Sequence, residues 1–404
     1  MDRIKRRILA AVSLHHACND GSVVALPAVF PILYTKTDLI QRYSDIGTII
    51  LVGLIVAFLF QLLIGHHVRT HHYRRFLALD AAIVGFSLLL LTLSSSYLTL
   101  VLFFIGVRIG TSIYHPVGIA WISHAFAGKR LDRAMGLQSA FGDIGVLVSF
   151  ILTGFLAERF NWKLPLLVWS GVNFIVLLFG LLISRGTSDR PVVLRNEHVS
   201  WRETFCKLKP FIPLLLLGGI SWGITLNYAP SLLNHKLGIP MSRTGVVLAC
   251  WLAAGTVSTM FYGYIADFLG RSRTLTLAYV VVIASVLVMG ISDNAAVTIA
   301  AIIVYGLAIF ITYPVNLSFV GSIIDAKNRT AAFSLVSNVM IIGNSTFAFA
   351  SGFLSDAFGI HTPFLVLAVV TSIVLVYLLV SLRHGRIPAG RASMELIPED
   401  IVCG

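Results

Sequence analysis

The segment GYIADFLGRSR, residues 263–273, is the most informative about the fold, because a corresponding segment occupies the same position in the first half of the chain. It joins two apolar stretches, and GHHVRTHHYRR at residues 65–75 joins two apolar stretches in the first half. The same offset pairs further residues, namely Pro116 with Pro314, Gly145 with Gly343, Gly154-Phe155-Leu156 with Gly352-Phe353-Leu354, and Phe160 with Phe358. A repeat of half a chain that is built from apolar segments indicates a duplicated membrane bundle.

The composition independently indicates a membrane protein. Charged residues make up 12% of the chain and hydrophobic residues 57%, which is outside the range of soluble domains. A helix needs about 20 apolar residues to cross the hydrocarbon layer. Stretches of this kind lie at residues 8–33, 44–66, 75–94, 98–124, 133–157, 163–184, 210–234, 243–268, 274–292, 295–323, 330–355 and 362–383. The sequence therefore predicts an all-α membrane protein with twelve transmembrane helices in two pseudo-symmetric six-helix bundles.

The positive charge predicts the topology. The formal net charge is +12, and Lys and Arg concentrate before the first span, in the even-numbered joins and after the last span. The opposite side carries only Lys36, Arg42, Arg159, Lys163, Lys236 and Arg243. The positive-inside rule predicts a multi-pass protein of the plasma (inner) membrane with both termini in the cytoplasm, so the charge does not indicate nucleic-acid binding.

A polar, Arg-rich break divides the chain into domains. We predict an N-terminal six-helix bundle at residues 1–184 and a cytoplasmic linker at 185–209. A C-terminal six-helix bundle follows at 210–384, with a cytoplasmic tail at 385–404.

Charges inside the spans give the first functional prediction. Asp20, Arg108 and Asp143 lie near mid-depth, where a charge costs at least about 2.5–3.5 kcal/mol and persists when it is paired or useful. One arginine can hold one carboxylate ionised, which leaves the other to bind and release a proton. Asp20 and Asp143 are therefore predicted to couple transport to protons, and a static ion-pair network is the alternative. Asp80 lies nearer the cytoplasmic end and is expected to pair with the arginines of the adjoining loop.

Helical spacing places further polar side chains beside these charges. His16 and Asp20 are four residues apart on the first span, and Arg108 and His115 share one face of the fourth. The residues predicted to bind substrate are His16, Asn19, Arg108, His115, Asn227, Tyr313 and Asn316. The last three suit substrate orientation and hydrogen bonds between helices equally well.

The segment Gly263-x-x-x-Asp267-x-x-Gly270-Arg271-x-Arg273 resembles the loop signature of the major facilitator superfamily, and it follows the eighth span, as in that family. The resemblance covers the whole chain. It implies the major facilitator fold, with alternating access to a site between two bundles near mid-membrane. It also implies a gate formed by Gly263, Asp267, Gly270 and Arg271 with Arg133 at the start of the fifth span.

Two motifs of the first half resemble the fosmidomycin-resistance branch of that superfamily. The branch pairs H-x-x-N-D in its first span with aromatic-His-Pro in its fourth, and this chain has His16-x-x-Asn19-Asp20 and Tyr114-His115-Pro116. The chain departs from the branch at two places. Val117 stands where an acidic residue is usual, and Ser149-Phe150 replaces a Gly-Pro pair typical of drug/proton antiporters.

Together these features predict a proton-coupled secondary active transporter that exports a small organic solute of anionic character. The alternatives are an uptake symporter, a metal exporter using His16, Cys18, Asp20 and His115, and a passive channel or receptor. The chain lacks H-E-x-x-H, Asp-rich and G-x-x-x-x-G-K motifs, so we expect neither an enzyme nor an ATP-driven pump.

The expected partners are a small-molecule substrate, protons and the lipid bilayer. We expect a monomer without a cofactor or a bound metal. The histidines between His66 and His72 are expected to be solvated charge, and a pH sensor or a metal site is the alternative.

Overall fold

The computed structural model describes residues 3–67, 73–126, 129–187, 201–324 and 329–387, and their regular structure is entirely helical. This follows from the composition, because a backbone inside lipid must satisfy its own hydrogen bonds, and a helix does so within one segment. The first half contains α1 (Arg3–Lys36), α2 (Tyr43–His67), α3 (Tyr73–Leu91), α4 (Tyr97–Ala125), α5 (Lys129–Arg159) and α6 (Lys163–Ile183).

The second half continues with eight further α-helices and two short turns of other helix types. The helices are α7 (Trp201–Leu208), α8 (Ile212–Ser231), α9 (Met241–Met260), α10 (Tyr262–Leu269), α11 (Arg271–Ile291), α12 (Ala295–Ile323), α13 (Arg329–Phe358) and α14 (Thr362–Arg383). A 3₁₀ turn at Lys209–Phe211 precedes α8, and a π turn at Leu232–Lys236 follows it.

Each of the twelve predicted spans falls on helical residues, and the span at 243–268 falls on two helices, α9 and α10. Fewer helices are apolar enough to be counted as spans. Among the described residues, nine helices are long and apolar enough to cross a membrane, and the bent pair α9 and α10 makes a tenth. The helix α3 is not counted because it carries Arg74, Arg75 and Asp80. The membrane count from the structure is therefore nine or ten, and twelve stays a prediction.

The repeat is visible in how corresponding helices begin. Ser96 precedes α4 and accepts a hydrogen bond from the backbone N–H of Thr99 at 3.3 Å. Asn294 occupies the equivalent place before α12 and accepts one from Val297 at 3.1 Å. Such caps satisfy N–H groups that have no partner within the helix.

The described residues form two compact units. The first comprises the residues up to 187 together with Gly238–Ala249, and the second comprises 201–237 and the residues from Cys250 onward. In the first unit Glu158 accepts a hydrogen bond from the backbone N–H of Ser242 at 2.6 Å, which joins the end of α5 to the start of α9. Residues 188–200 and 388–404 of the predicted linker and tail lie outside the described residues, as do residues 68–72 of the histidine-rich segment.

The predicted span at 243–268 is not straight. It breaks at Phe261 into α9 and α10, which meet at 55°. The bend lies beside Gly263, which has no close neighbour, and glycine weakens a helix. Gly270 ends α10 and starts α11 with φ +82°, a left-handed conformation that favours glycine.

The helices α1 and α5 of the first unit are in direct backbone contact. A Cβ on Gly145 would overlap the carbonyl group of Ala17, and a Cβ on Gly21 would stand 2.8 Å from the carbonyl oxygen of Gly145. Ser149 donates a hydrogen bond to the carbonyl of Gly21 at 2.7 Å. Small residues thus bring α5 close enough to α1 for its main chain to reach side chains on α1.

The expected pairing of Asp80 with the loop arginines is wrong for Arg74. Arg74 donates to the carbonyl of Leu181 at 2.6 Å and to the hydroxyl of Ser184 at 3.1 Å, and Arg7 donates to the carbonyl of Ile183 at 2.6 Å. The last carbonyls of a helix lack partners within the helix, so the end of α6 attracts both guanidinium groups.

Candidate functional site

Three titratable side chains meet in the first unit, two of them from α1 and one from α4. The Nε2 atom of His16 lies 3.1 Å from Oδ2 of Asp20, and the Nε2 atom of His115 lies 3.7 Å from Oδ1 of Asp20. The His16 and His115 rings are 5.4 Å apart between centroids, edge to face. The structure therefore brings the two sequence motifs of the first half together around one carboxylate.

The hydrogen bond of the second ring nitrogen of His16, Nδ1, determines which ring nitrogens carry a hydrogen. Its Nδ1 atom lies 2.7 Å from the backbone carbonyl oxygen of Gln138 on α5. A carbonyl oxygen only accepts, so Nδ1 carries a hydrogen and donates it. The contact between Nε2 and Asp20 then needs a proton as well, on either the imidazole or the carboxyl group. The geometry thus requires one proton between Nε2 of His16 and Oδ2 of Asp20.

Tyr114 and Gln138 hold the His16 ring in place. The Tyr114 ring stacks on His16 with centroids 4.5 Å apart, and its hydroxyl donates to Oε1 of Gln138 at 2.9 Å. Both residues are buried. Gln138 of α5 therefore contacts His16 through its backbone carbonyl and Tyr114 through its side chain.

Gly142, one turn after Gln138 on α5, provides the space that the pair occupies. A Cβ at this position would stand 2.7 Å from Nε2 of His16 and 2.8 Å from Oδ2 of Asp20. Any side chain here would push against both partners, so only glycine allows the contact between His16 and Asp20 at its present distance.

The remaining predicted residues of the first unit surround this cluster. Asn19 donates a hydrogen bond to Oδ1 of Asp20 at 2.8 Å. Arg108 is half-buried, and its Nε atom has no hydrogen-bond partner among the described residues. The charge of Asp20 acts on Arg108, and the charge of Asp143 acts on His16. Asp143 is thus a neighbour of the cluster, and Asp20 is its centre.

The cluster is open on one side. The side chain of His115 is 45% exposed and that of Asp20 is 25% exposed, although both lie far from their helix ends. An exposed imidazole beside a carboxylate is expensive against hydrocarbon, so this side faces water or solute.

Among the described residues, the same three side chains form the group that could hold a cation, because their ligand atoms all lie within 4.8 Å of one another. Cys18 is buried and does not belong to the set. Both Asp20 oxygens already have partners in His16 and Asn19, so we assign no metal here.

The predicted substrate residues of the second unit do not form a comparable cluster among the described residues. Asn227 is buried on α8 and donates to the carbonyl of Gly223 in its own helix at 2.7 Å. Asn316 is buried on α12, and the oxygen atoms of both amides lack hydrogen-bond partners in the described part of the chain. Tyr313 is 47% exposed. It is the repeat equivalent of His115, since each precedes a Pro-Val pair.

The predicted gate residues lie in different units. Gly263 and an exposed Asp267 lie on α10, and Arg271 begins α11, where its Nη1 donates to the carbonyl of Ser318 at 3.3 Å. Arg133 is exposed near the start of α5 in the first unit. Their role as a gate stays a prediction.

Sequence reasoning misses Gln138. A glutamine in an apolar span is a visible signal, but its contribution to His16 comes from the main chain, which no residue type reveals. For Gly142 the sequence alone indicates only a close-packing face.

Comparison with known proteins gives a family. The model of the Major Facilitator Superfamily matches residues 12–314 and 211–397. The chain is similar to the multidrug efflux protein YfmO of Bacillus subtilis (strain 168), at 24% identity over 72% of either chain. It is also similar to the uncharacterized MFS-type transporter YybF of the same organism, at 26% identity over 60% of this chain and 62% of that protein.

Solved structures share the fold. A bacterial homologue of the human lysosomal transporter Spinster, in an inward-facing and occupied conformation, matches with a TM-score of 0.80 at 15% identity, over 95% of this chain and 98% of that one. The nucleoside transporter NupG matches with a TM-score of 0.76 at 14% identity, over 94% of this chain and 99% of that one. These likenesses concern architecture alone.

Proposed function

Because this chain belongs to the Major Facilitator Superfamily, a family of multi-pass membrane transporters for small molecules, we propose that it exports a small organic anion in exchange for protons by alternating access. The observation that carries the proposal is the contact between Nε2 of His16 and Oδ2 of Asp20. The Nδ1 atom of His16 is committed to a carbonyl, so the 3.1 Å contact on its other side exists only while a proton is bound.

The charges around the cluster support an anionic substrate. Arg108 is half-buried, and its buried Nε atom has no hydrogen-bond partner among the described residues. His115, whose side chain is 45% exposed, lies seven residues further along α4. Guanidinium groups bind carboxylates and phosphonates through paired hydrogen bonds. The charge of Asp20 acts on Arg108 and His115, so binding of the anion there and binding of a proton to Asp20 affect each other, and this linkage couples the two movements.

The direction is assigned from the relatives and the motifs. YfmO is a multidrug efflux protein, and the two motifs resembling the fosmidomycin-resistance branch meet at one carboxylate. We place the protein in the plasma (inner) membrane as a monomer with both termini in the cytoplasm, following the distribution of Lys and Arg. Asn227, Tyr313 and Asn316 are assigned to the uncharged part of the solute.

The gate is assigned to the second copy of the repeated segment. We propose that Asp267 docks at the N-terminus of α5, near Arg133, in the cytoplasm-closed state. A carboxylate is stabilised by the unpaired N–H groups and by the dipole of a helix N-terminus.

Inverted membrane vesicles test the proposal. Radiolabelled carboxylates and phosphonates are added outside, with an inside-acid proton gradient and with the gradient collapsed by a protonophore. We expect one of these anions to accumulate only with the gradient, and vesicles containing Arg108→Lys protein to accumulate far less. Accumulation that is equal with and without the gradient would contradict proton coupling. Uptake into right-side-out vesicles driven by an outside-acid gradient would instead identify a symporter.

A further inference from the structure

Asp80 is the acidic residue on α3 that the proposed function does not use. It is 2% exposed. Its Oδ1 atom has no hydrogen-bond partner among the described residues. Arg74, one of the two loop arginines expected to pair with it, is bound to the end of α6. Such an orphaned buried carboxyl oxygen requires an explanation.

Within the described part of the chain, the groups that act electrostatically on Asp80 include no cation that would stabilise an ionised carboxylate. They are Asp20 and Cys18 on α1 and Tyr114 on α4. The helix α6 has no titratable residue other than Lys163, at its far end. A buried carboxylate ion without a partner is far more expensive than the neutral acid, so the structure fits an Asp80 that carries a proton.

Asp80 lies close to other polar groups of the first unit. Leu77 and Ala78, which precede it on α3, line a narrow and mostly apolar cavity together with Arg74 and the buried His15 of α1. The Nδ1 atom of His15 also lacks a hydrogen-bond partner among the described residues. Asp80 is within electrostatic reach of Asp20. The unpartnered carboxyl group is thus a neighbour of the carboxylate at the centre of the cluster.

We infer that Asp80 is a second proton-binding site of this carrier. When the proton leaves, the O–H bond of Asp80 breaks and the proton binds to bulk water. The O–H bond of Asp20 then breaks, and its proton forms a new O–H bond on the Asp80 carboxylate. The role in transport rests on the proposed function, but the presence of a titrating buried acid does not.

Infrared difference spectroscopy of the purified full chain between pH 5 and pH 9 tests the binding step directly. We expect a carboxylic-acid C=O band that disappears as the pH rises, that is absent in Asp80→Asn and that moves in Asp80→Glu. Asp38→Asn removes an exposed carboxyl group of the same unit and should leave the band unchanged. The inference is overturned if the band persists in Asp80→Asn, or if its intensity does not change with pH.

Transport in inverted vesicles tests the coupling step. In Asp80→Asn we expect gradient-driven accumulation to be lost, while counterflow exchange, which needs no net proton movement, stays near wild type. Equal losses in both assays would show a structural role and overturn the inference. If the wild type itself ignores the gradient, the proposed function fails, and the infrared result still decides whether Asp80 titrates.

Discussion

Replacing Gly142 by alanine should separate the two partners that share the proton. The new Cβ would stand 2.7 Å from Nε2 of His16, whereas an ordinary contact needs 3.4 Å, so the ring must retreat by about 0.7 Å. The distance from Nε2 to Asp20 is already 3.1 Å, and a further increase of this size takes it beyond hydrogen-bond range. Gly142→Ala should therefore weaken proton coupling.

The free energy of unfolding changes less than the function does. Inserting a methyl group into a packed site costs about 1–3 kcal/mol. Alanine in place of glycine inside a helix recovers about 1 kcal/mol. The net destabilisation is about 0–2 kcal/mol, so the protein stays folded and its transport can be measured.

Gly136→Ala is the matched control, because Gly136 lies on the same helix and a methyl group added there would meet nothing within 4 Å. We expect it to raise thermal stability slightly and to keep gradient-driven transport. The assay compares gradient-driven accumulation with counterflow exchange for both variants in reconstituted vesicles. If Gly142→Ala keeps the wild-type ratio of the two activities, the contact between His16 and Asp20 does not carry the coupling proton.

Three further predictions concern the surroundings of the cluster. Arg108→Lys should lower substrate affinity by about tenfold or more, because an ammonium group keeps the charge and loses the paired hydrogen bonds; binding to purified protein measures this, and unchanged affinity would show that Arg108 is structural. Tyr114→Phe and Gln138→Met should each cost about 1 kcal/mol of stability, and the double variant should cost less than their sum, because they remove one shared hydrogen bond; additive losses in thermal unfolding would exclude that bond. Asp267→Asn should favour the cytoplasm-open state, seen as faster labelling of a cysteine introduced on the cytoplasmic side, and unchanged labelling would remove Asp267 from the gate.

The helices of this fold can be predicted well from the sequence, because few backbone conformations are stable inside lipid. Every predicted span falls on helical residues, since an apolar stretch in a bilayer must form its hydrogen bonds within itself. The charged residues of the cluster can be predicted because a charge at mid-depth is costly and therefore informative. His16, Asp20 and His115 are among the candidate residues predicted from the sequence, and the structure brings these three together.

The hydrogen-bond partners of these residues could not be predicted from the sequence, because they involve main-chain atoms and long side chains that can reach several groups. The carbonyl of Gln138 orients His16, and any residue at that position offers a carbonyl. Arg74 is an expected partner of Asp80, but it binds the end of α6 instead, because the last carbonyl groups of a helix have no partner within it. The 55° bend at Phe261 is likewise absent from the hydropathy pattern, which is continuous across it.

The most direct test of the account is gradient-driven accumulation against counterflow exchange for Asp20→Asn, with Asp38→Asn as the control. An asparagine keeps the size of the side chain and cannot exchange a proton, so we expect accumulation to be abolished while counterflow and folding persist. Asp38 is exposed, and its variant should behave as the wild type. Full gradient-driven accumulation by Asp20→Asn would contradict the central claim and transfer the coupling role to Asp143.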